Sequence, residues 1–215
     1  MALLWSCSER SDNKTLEIEA QHLNKNNQNN KVFVFECDKN YSFVVEMDND
    51  KATLFLPDRT ITLPHIPSGS GAKYEKDKVI FWSKGEEALL EINNKIYKNC
   101  INNRKKAIWE SAKLRGMDFR AVGNEPGWNL EISNNRKIVF ITNYGSERYE
   151  FPTPKPLIDD KQAKTIYKTN NEKHNLEVML IGKPCLDTMS DESFETTVFI
   201  KLDDKQYKGC GNALH

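Results

Sequence analysis

The sequence predicts an all-β protein built as two small antiparallel barrel or sandwich domains joined by a short helix. Three observations carry this. Between Lys31 and Cys100 the apolar residues recur with a period of two, in short runs rich in β-branched and aromatic residues. The same pattern returns after Met117. Only the stretch between Arg104 and Arg115 offers helix formers with one apolar side, from Ile108, Trp109 and Ala112, and it stops at Gly116.

In the first half the expected strands are Val32 to Phe35, Tyr41 to Met47, Ala52 to Leu56, Thr60 to Ile66, Val79 to Trp82, Ala88 to Ile92 and Lys95 to Tyr97. Asp-Lys-Asn, Asp-Asn-Asp, Pro-Asp-Arg and Asn-Asn turn signals separate them. Even spacing without a helical stripe implies a closed antiparallel barrel or a sandwich. In the second half they are Phe119 to Val122, Trp128 to Ile132, Lys137 to Thr142, Lys164 to Tyr167, Leu176 to Ile181, Thr196 to Leu202 and a final one at Tyr207, with Pro152, Pro154 and Pro156 marking an irregular connection. The expected domains are therefore 31–102 and 117–215, with a linker helix over 103–116. Before them, 8–30 reads as a polar tether, because Asn24 to Asn30 is low-complexity and cannot bury a core; within it Thr15 to Glu19 alternates as a short edge strand does.

Composition excludes some functions. The 215 residues carry 31 basic and 31 acidic side chains, and this zero net charge argues against a nucleic-acid partner, whose phosphates call for a basic patch. No run approaches the roughly 18 apolar residues that span a bilayer. The four histidines, His22, His65, His174 and His215, are scattered, and none sits beside a candidate nucleophile. Glu125 and Asp187 are the one candidate carboxylate pair, and Cys185, Cys210 and His215 the one candidate metal set. Turn carboxylates more commonly serve as caps, and a disulfide would use the same sulfurs, so neither an enzyme nor any cofactor or metal is expected.

The five cysteines sort by placement. Cys37 and Cys100 bracket the first domain, Cys185 and Cys210 lie close to the end, and Cys7 is left over. Widely spaced pairs fit two disulfides in an oxidising compartment better than a zinc knuckle; the alternative is a set of buried thiols. Leu3-Leu4-Trp5-Ser6-Cys7 resembles the end of a bacterial lipoprotein signal, so that 1–7 would be a signal remnant and Cys7 the lipidated residue, or else a free thiol.

The stretch around which the first domain is organised is Ser68-Gly69-Ser70-Gly71-Ala72-Lys73-Tyr74, followed by Phe81-Trp82-Ser83-Lys84-Gly85. Alternating glycines and serines expose hydroxyls with little side-chain cover, and the aromatic pair would anchor a lysine at a strand end. With Val32 to Cys37 before it, and Glu86-Glu87-Ala88-Leu89-Leu90 and Cys100 after it, this stretch resembles the MliC/PliC family of membrane-bound or periplasmic inhibitors of C-type lysozyme. The resemblance covers residues 32 to 100, about a third of the chain. It implies an eight-stranded barrel, a C-type lysozyme as partner, and a location in the bacterial envelope: periplasmic, with a lipid anchor to the outer membrane through Cys7.

The resemblance further implies that Ser70 and Lys84 enter the lysozyme cleft and hydrogen-bond its two catalytic carboxylates, with Gly71, Ser68, Lys73 and Tyr74 as flanking contacts or, for Tyr74, a buttress of the loop. The chemistry is suitable: a hydroxyl and an ammonium are donors, and bonds from a charged donor to a carboxylate are short and about twice as strong as neutral ones. The other reading is an envelope module that binds peptidoglycan fragments, another glycan or a host receptor. Gly123-Asn124-Glu125-Pro126-Gly127-Trp128, Cys185-x-Asp187-x-Met189-Ser190 and Tyr207-x-Gly209-Cys210 resemble a second, poorly characterised domain family of bacterial envelope lipoproteins, which implies a location rather than a chemistry.

Overall fold

The computed structural model describes residues 30–215. The expected signal remnant, Cys7, the short strand at 15–19 and all of the tether but Asn30 lie outside the described residues. The chain divides into two compact units between Ser111 and Ala112.

The first unit is a closed barrel of eight antiparallel strands taken in chain order: β1 (Lys31–Cys37), β2 (Tyr41–Met47), β3 (Lys51–Phe55), β4 (Thr60–Ile66), β5 (Ala72–Lys76), β6 (Val79–Lys84), β7 (Glu87–Ile92) and β8 (Lys95–Asn102). Alternation fixes its inside. Phe35, Val45, Leu54, Leu63, Phe81 and Leu90 have no exposed surface and fill the lumen. The Phe81 ring packs 5.7 Å from Phe35 and edge-on, 6.1 Å, to Phe43.

The closing seam is short, with Phe35 opposite Asn102 and Glu36 opposite Ile101. One step further along, Cys37 and Cys100 form a disulfide that links positions 63 apart in sequence. On the other side, the Val34 N–H donates to Asn102 Oδ1 at 3.1 Å, and the Asn103 N–H donates to the Val34 carbonyl at 2.7 Å. A covalent staple, one side-chain bond and one further main-chain bond thus extend this short ladder.

Helix α1 (Arg104–Leu114) follows at once. Asn103 starts it, its Oδ1 accepting from the Lys106 N–H at 3.1 Å. Gly116 ends it, with bonds from Gly116 N to Lys113 O and from Met117 N to Ala112 O. No helix among the described residues is long and apolar enough to cross a membrane.

The second unit is a curled antiparallel sheet of nine strands in the order β12-β11-β10-β9-β19-β18-β15-β14-β13. The strands are β9 (Phe119–Asn124), β10 (Gly127–Ile132), β11 (Lys137–Thr142), β12 (Glu147–Pro152), β13 (Leu157–Asp159), β14 (Lys164–Asn170), β15 (Asn175–Ile181), β18 (Thr196–Leu202) and β19 (Lys205–Ala213). A separate hairpin of β16 (Cys185–Asp187) and β17 (Glu192–Phe194) is tied to β19 by the Cys185–Cys210 disulfide. Curling brings β12 towards β14: Thr169 Oγ1 donates to the Pro152 carbonyl at 2.8 Å, and Asn171 Nδ2 donates to the Glu150 carbonyl at 3.1 Å. The core gathers Leu130, Ile132, Ile138, Phe140, Val178 and Val198 around Trp128. Strands β9 and β19 pass so close to the Trp128 indole that a Cβ at Gly123 would lie 2.2 Å from Nε1 and one at Gly209 2.6 Å from Cζ2. Here the motifs singled out in this half meet.

Five strands stand where none was expected: the three-residue β13, β16 and β17, which are too short to carry a period, and the longer β5 and β12. Strand β5 sits where a loop was read, because Ala72-Lys73-Tyr74-Glu75-Lys76 buries only Tyr74. Strand β12 sits before the proline-rich connection, its charged side chains matched across and along the ladder by Lys137–Glu150 at 3.0 Å and Arg148–Glu150 at 2.5 Å.

Candidate functional site

The loop of residues 67–71 joins β4 to β5, and it is braced rather than slack. The Ser68 hydroxyl lies 3.2 Å from the Ser70 carbonyl and 3.0 Å from that of Gly71. The Trp82 indole N–H donates to the same Ser70 carbonyl at 2.8 Å. One carbonyl with two donors fixes the peptide that follows Ser70.

Gly71 then turns the chain into β5 at φ +69, with its α-carbon pressed against β6. A Cβ there would lie 2.3 Å from the Ser83 carbonyl and 3.2 Å from Lys84 Cβ. Ser70 is thereby set beside the end of β6, where Lys84 stands. Both residues are exposed. Among the described residues neither the Ser70 hydroxyl nor the Lys84 ammonium has a hydrogen-bond or ion-pair partner. Two unspent donors of different charge share one braced rim.

Alternation along β6 explains the lysine's direction. Val79, Phe81 and Ser83 point into the barrel, while Trp82 and Lys84 face out. A two-residue turn, Gly85-Glu86, leads from Lys84 to its cross-strand partner Glu87. Glu86 staples this turn to the barrel seam: Arg104 Nη2 donates to Oε1 at 2.7 Å, Asn102 Nδ2 to Oε2 at 2.9 Å, and the Asn102 N–H to the Glu86 carbonyl at 2.8 Å. The hydrogen bond from Arg104, and after it that from Asn102, lower the Glu86 carboxyl to about 2. A cleft of about 580 Å³ between Glu36, Glu86, Ile101 and Arg104 lies at this staple.

The remaining expected contacts divide by what they touch. Lys73 makes an ion pair with Glu75 at 3.0 Å, and Ser68 spends its hydroxyl inside the loop. Tyr74 is 3% exposed and its hydroxyl donates to the Asp48 carbonyl at 2.9 Å. Burial, then the Asp48 carboxylate, push its phenol above the usual range. Its ring lies in the barrel core against His65 and Phe81 and is turned away from solvent. The aromatic pair expected to anchor the lysine divides: Phe81 is buried, while Trp82 is 40% exposed and holds the loop. The period of two that puts Phe81 inside was the signal that Trp82 is outside. Glu86, Asn102 and Arg104 were missed altogether, because their pairing depends on barrel closure.

In the second unit the candidate carboxylate does not stand free for chemistry. Burial would raise Asp187, but the Met189 N–H at 3.0 Å, the Ser190 hydroxyl at 3.0 Å and the Asn124 amide donate to it and hold it below the ordinary carboxylate range. Cys185 and Cys210 are spent on each other, and His215 Nε2 lies 3.1 Å from the Met117 carbonyl. Among the described residues no three His, Cys, Asp or Glu side chains are gathered to hold a metal ion.

Comparison with known proteins agrees with the resemblance read from the barrel motifs. Residues 35–99 match the family model described as membrane-bound lysozyme inhibitor of c-type lysozyme, MliC. A protein of that name from Yersinia enterocolitica is 42% identical over 57 residues, covering 26% of this chain and 49% of the relative. One from Pseudomonas aeruginosa is 36% identical over 61 residues, covering 26% and 48%. The chain thus spans about half the length of the curated relatives it matches. No solved structure matches the chain significantly.

Proposed function

We propose that the chain is a proteinaceous inhibitor of C-type lysozyme, a binding protein and not an enzyme, acting through the rim of its first barrel. The observation that carries this is the close approach of Gly71 to β6, which supports a rim carrying two exposed residues, Ser70 and Lys84, inside the segment that matches the inhibitor family. A lysozyme cleft holds two carboxylates, one protonated as the acid and one ionised. The Lys84 ammonium suits the ionised group and the Ser70 hydroxyl can donate to either. Inside the closed cleft these bonds escape the screening that water gives them on the free surface. Gly71 and Ser68 shape the loop, and Lys73 stands at the rim, where single contacts contribute little.

The names of the relatives and the sequence around Cys7 support a place in the bacterial envelope, with the domain tethered through residues 8–30 to a lipid on Cys7 in the periplasm. The second reading, a module for peptidoglycan fragments or another glycan or host receptor, has one observation in its favour: the half-exposed indole of Trp82, a face on which a sugar can stack.

The test is inhibition of a C-type lysozyme's cell-wall lysis by the chain and by its Ser70→Ala/Lys84→Ala double variant. Inhibition lost in a variant that melts like the parent supports the reading. Equal inhibition by both, or by neither together with direct binding of peptidoglycan oligosaccharides, overturns it.

A further inference from the structure

We propose that Trp82 is the positioning residue of this rim, fixing Ser70 at its working distance from Lys84 before any lysozyme arrives; the inference rests on the inhibitor reading. Three observations converge on this side chain. Trp82 and Lys84 are two positions apart on β6 and emerge on the same outer face, so the indole is rigidly related to the ammonium by the strand itself. Its N–H reaches across to the Ser70 carbonyl at 2.8 Å, relating it equally firmly to the hydroxyl. And its Nε1 would lie 3.0 Å from a Cβ on Gly71, so the ring also walls the close approach of the loop to β6.

The loop needs such a brace. A Ser-Gly-Ser-Gly segment loses more backbone freedom on ordering than a segment without glycine. The tip at Gly69 has no heavy atom within 4 Å of where its Cβ would be, so packing does not hold it. What holds it are the donors on the Ser70 carbonyl, Trp82 and Ser68. Of these only Trp82 belongs to the strand that carries Lys84. A loop ordered in the free protein does not have to be ordered at the moment of binding, which is how preorganisation raises affinity. The half-exposed ring therefore acts through Ser70.

A double-mutant cycle reads this directly. Trp82→Phe keeps an aromatic ring and removes the N–H; the benzothienyl analogue of tryptophan at the same position changes only the N–H to sulfur. Each should weaken lysozyme inhibition about five- to tenfold, the worth of one net hydrogen bond, and should do almost nothing when Ser70 is already alanine. In the free chain, {1H}-15N relaxation should show the amides of residues 69–71 more mobile in either variant, with the melting temperature little changed. Losses that add in full to that of Ser70→Ala, or an equally ordered free loop in both variants, overturn the positioning role while leaving the inhibitor reading intact. If Ser70→Ala alone leaves inhibition unchanged, Ser70 is not a lysozyme contact and the role falls with that reading, even where the relaxation data show Trp82 ordering the loop.

Discussion

Gly71 and Gly69 look alike in the sequence and are opposite in the structure, which makes Gly71→Ala a sharp test. At Gly71 an added Cβ meets the Ser83 carbonyl oxygen at 2.3 Å, on backbone and not on a side chain that can swing away, at φ +69. A left-handed non-glycine residue costs roughly 1–2 kcal/mol. Relieving the contact to an ordinary distance of more than 3 Å requires β5 to retreat from β6 by most of an ångström, at roughly 1 kcal/mol more. The sum is about 2–3 kcal/mol, which lowers the melting temperature of a domain this size by roughly 10–20 °C. The retreat also separates Ser70 from Lys84, so lysozyme inhibition should fall at temperatures where the variant is still folded. Gly69→Ala, with nothing within 4 Å and no left-handed φ, should melt and inhibit like the parent. Thermal unfolding by circular dichroism and a lysis assay on both variants decide it. A Gly71→Ala chain with the parent's melting point and full inhibition, or a Gly69→Ala chain as damaged as its neighbour, would refute the account of the loop.

Other expectations follow from the same contacts. Opening the Cys37–Cys100 link, which spans 63 positions, should cost the first unit about 4 kcal/mol in the chain-entropy account, read as a lower urea midpoint for Cys37→Ala/Cys100→Ala. The folded Glu86 carboxyl lies near 2 against an ordinary 4.5, so the stability it contributes is complete above about 4.5 and lost as pH falls towards 2. Glu86→Gln should flatten the acid limb of the melting-temperature profile in that window, and an unchanged limb would count against the staple. In the second unit, Arg120 is 8% exposed and pairs with Glu131. Burial pulls its guanidinium below its ordinary value, with the Glu131 carboxylate working against that. Glu131→Gln should destabilise this unit by about 3–5 kcal/mol, seen as an earlier transition in calorimetry; a loss below 1 kcal/mol would show that the pair is not a buried one.

How far the sequence revealed this depends on which physical signal each element carries. The buried strands announced themselves, because Phe33-Val34-Phe35 and Val79-Ile80-Phe81 are unbroken β-branched and aromatic runs with turn residues on either side. Strand β5 did not, since one buried tyrosine among lysines and a glutamate carries no period. The cysteine pairs were readable from placement, and both disulfides are formed. Ser70 and Lys84 were visible through motif resemblance, and what the structure adds is the reason for their adjacency: the bare α-carbon of Gly71 and the reach of Trp82. The staple of Glu86 by Asn102 and Arg104 was illegible, because it exists only once β8 returns to close the barrel. In the second half the three short motifs were noticed separately. Their meeting around Trp128 and the Cys185–Cys210 link gives both glycines a packing reason: the indole at Gly123, and the Val122 carbonyl together with the indole at Gly209.

The central claim is that the rim carrying Ser70 and Lys84 fills the catalytic cleft of a C-type lysozyme. The most direct measurement is calorimetric titration of the chain into lysozyme whose cleft is free, and into lysozyme whose cleft is saturated with a chitin oligosaccharide. The account predicts binding to the first and its loss in the second. Undiminished binding to the sugar-filled enzyme would place the contact outside the cleft and contradict it.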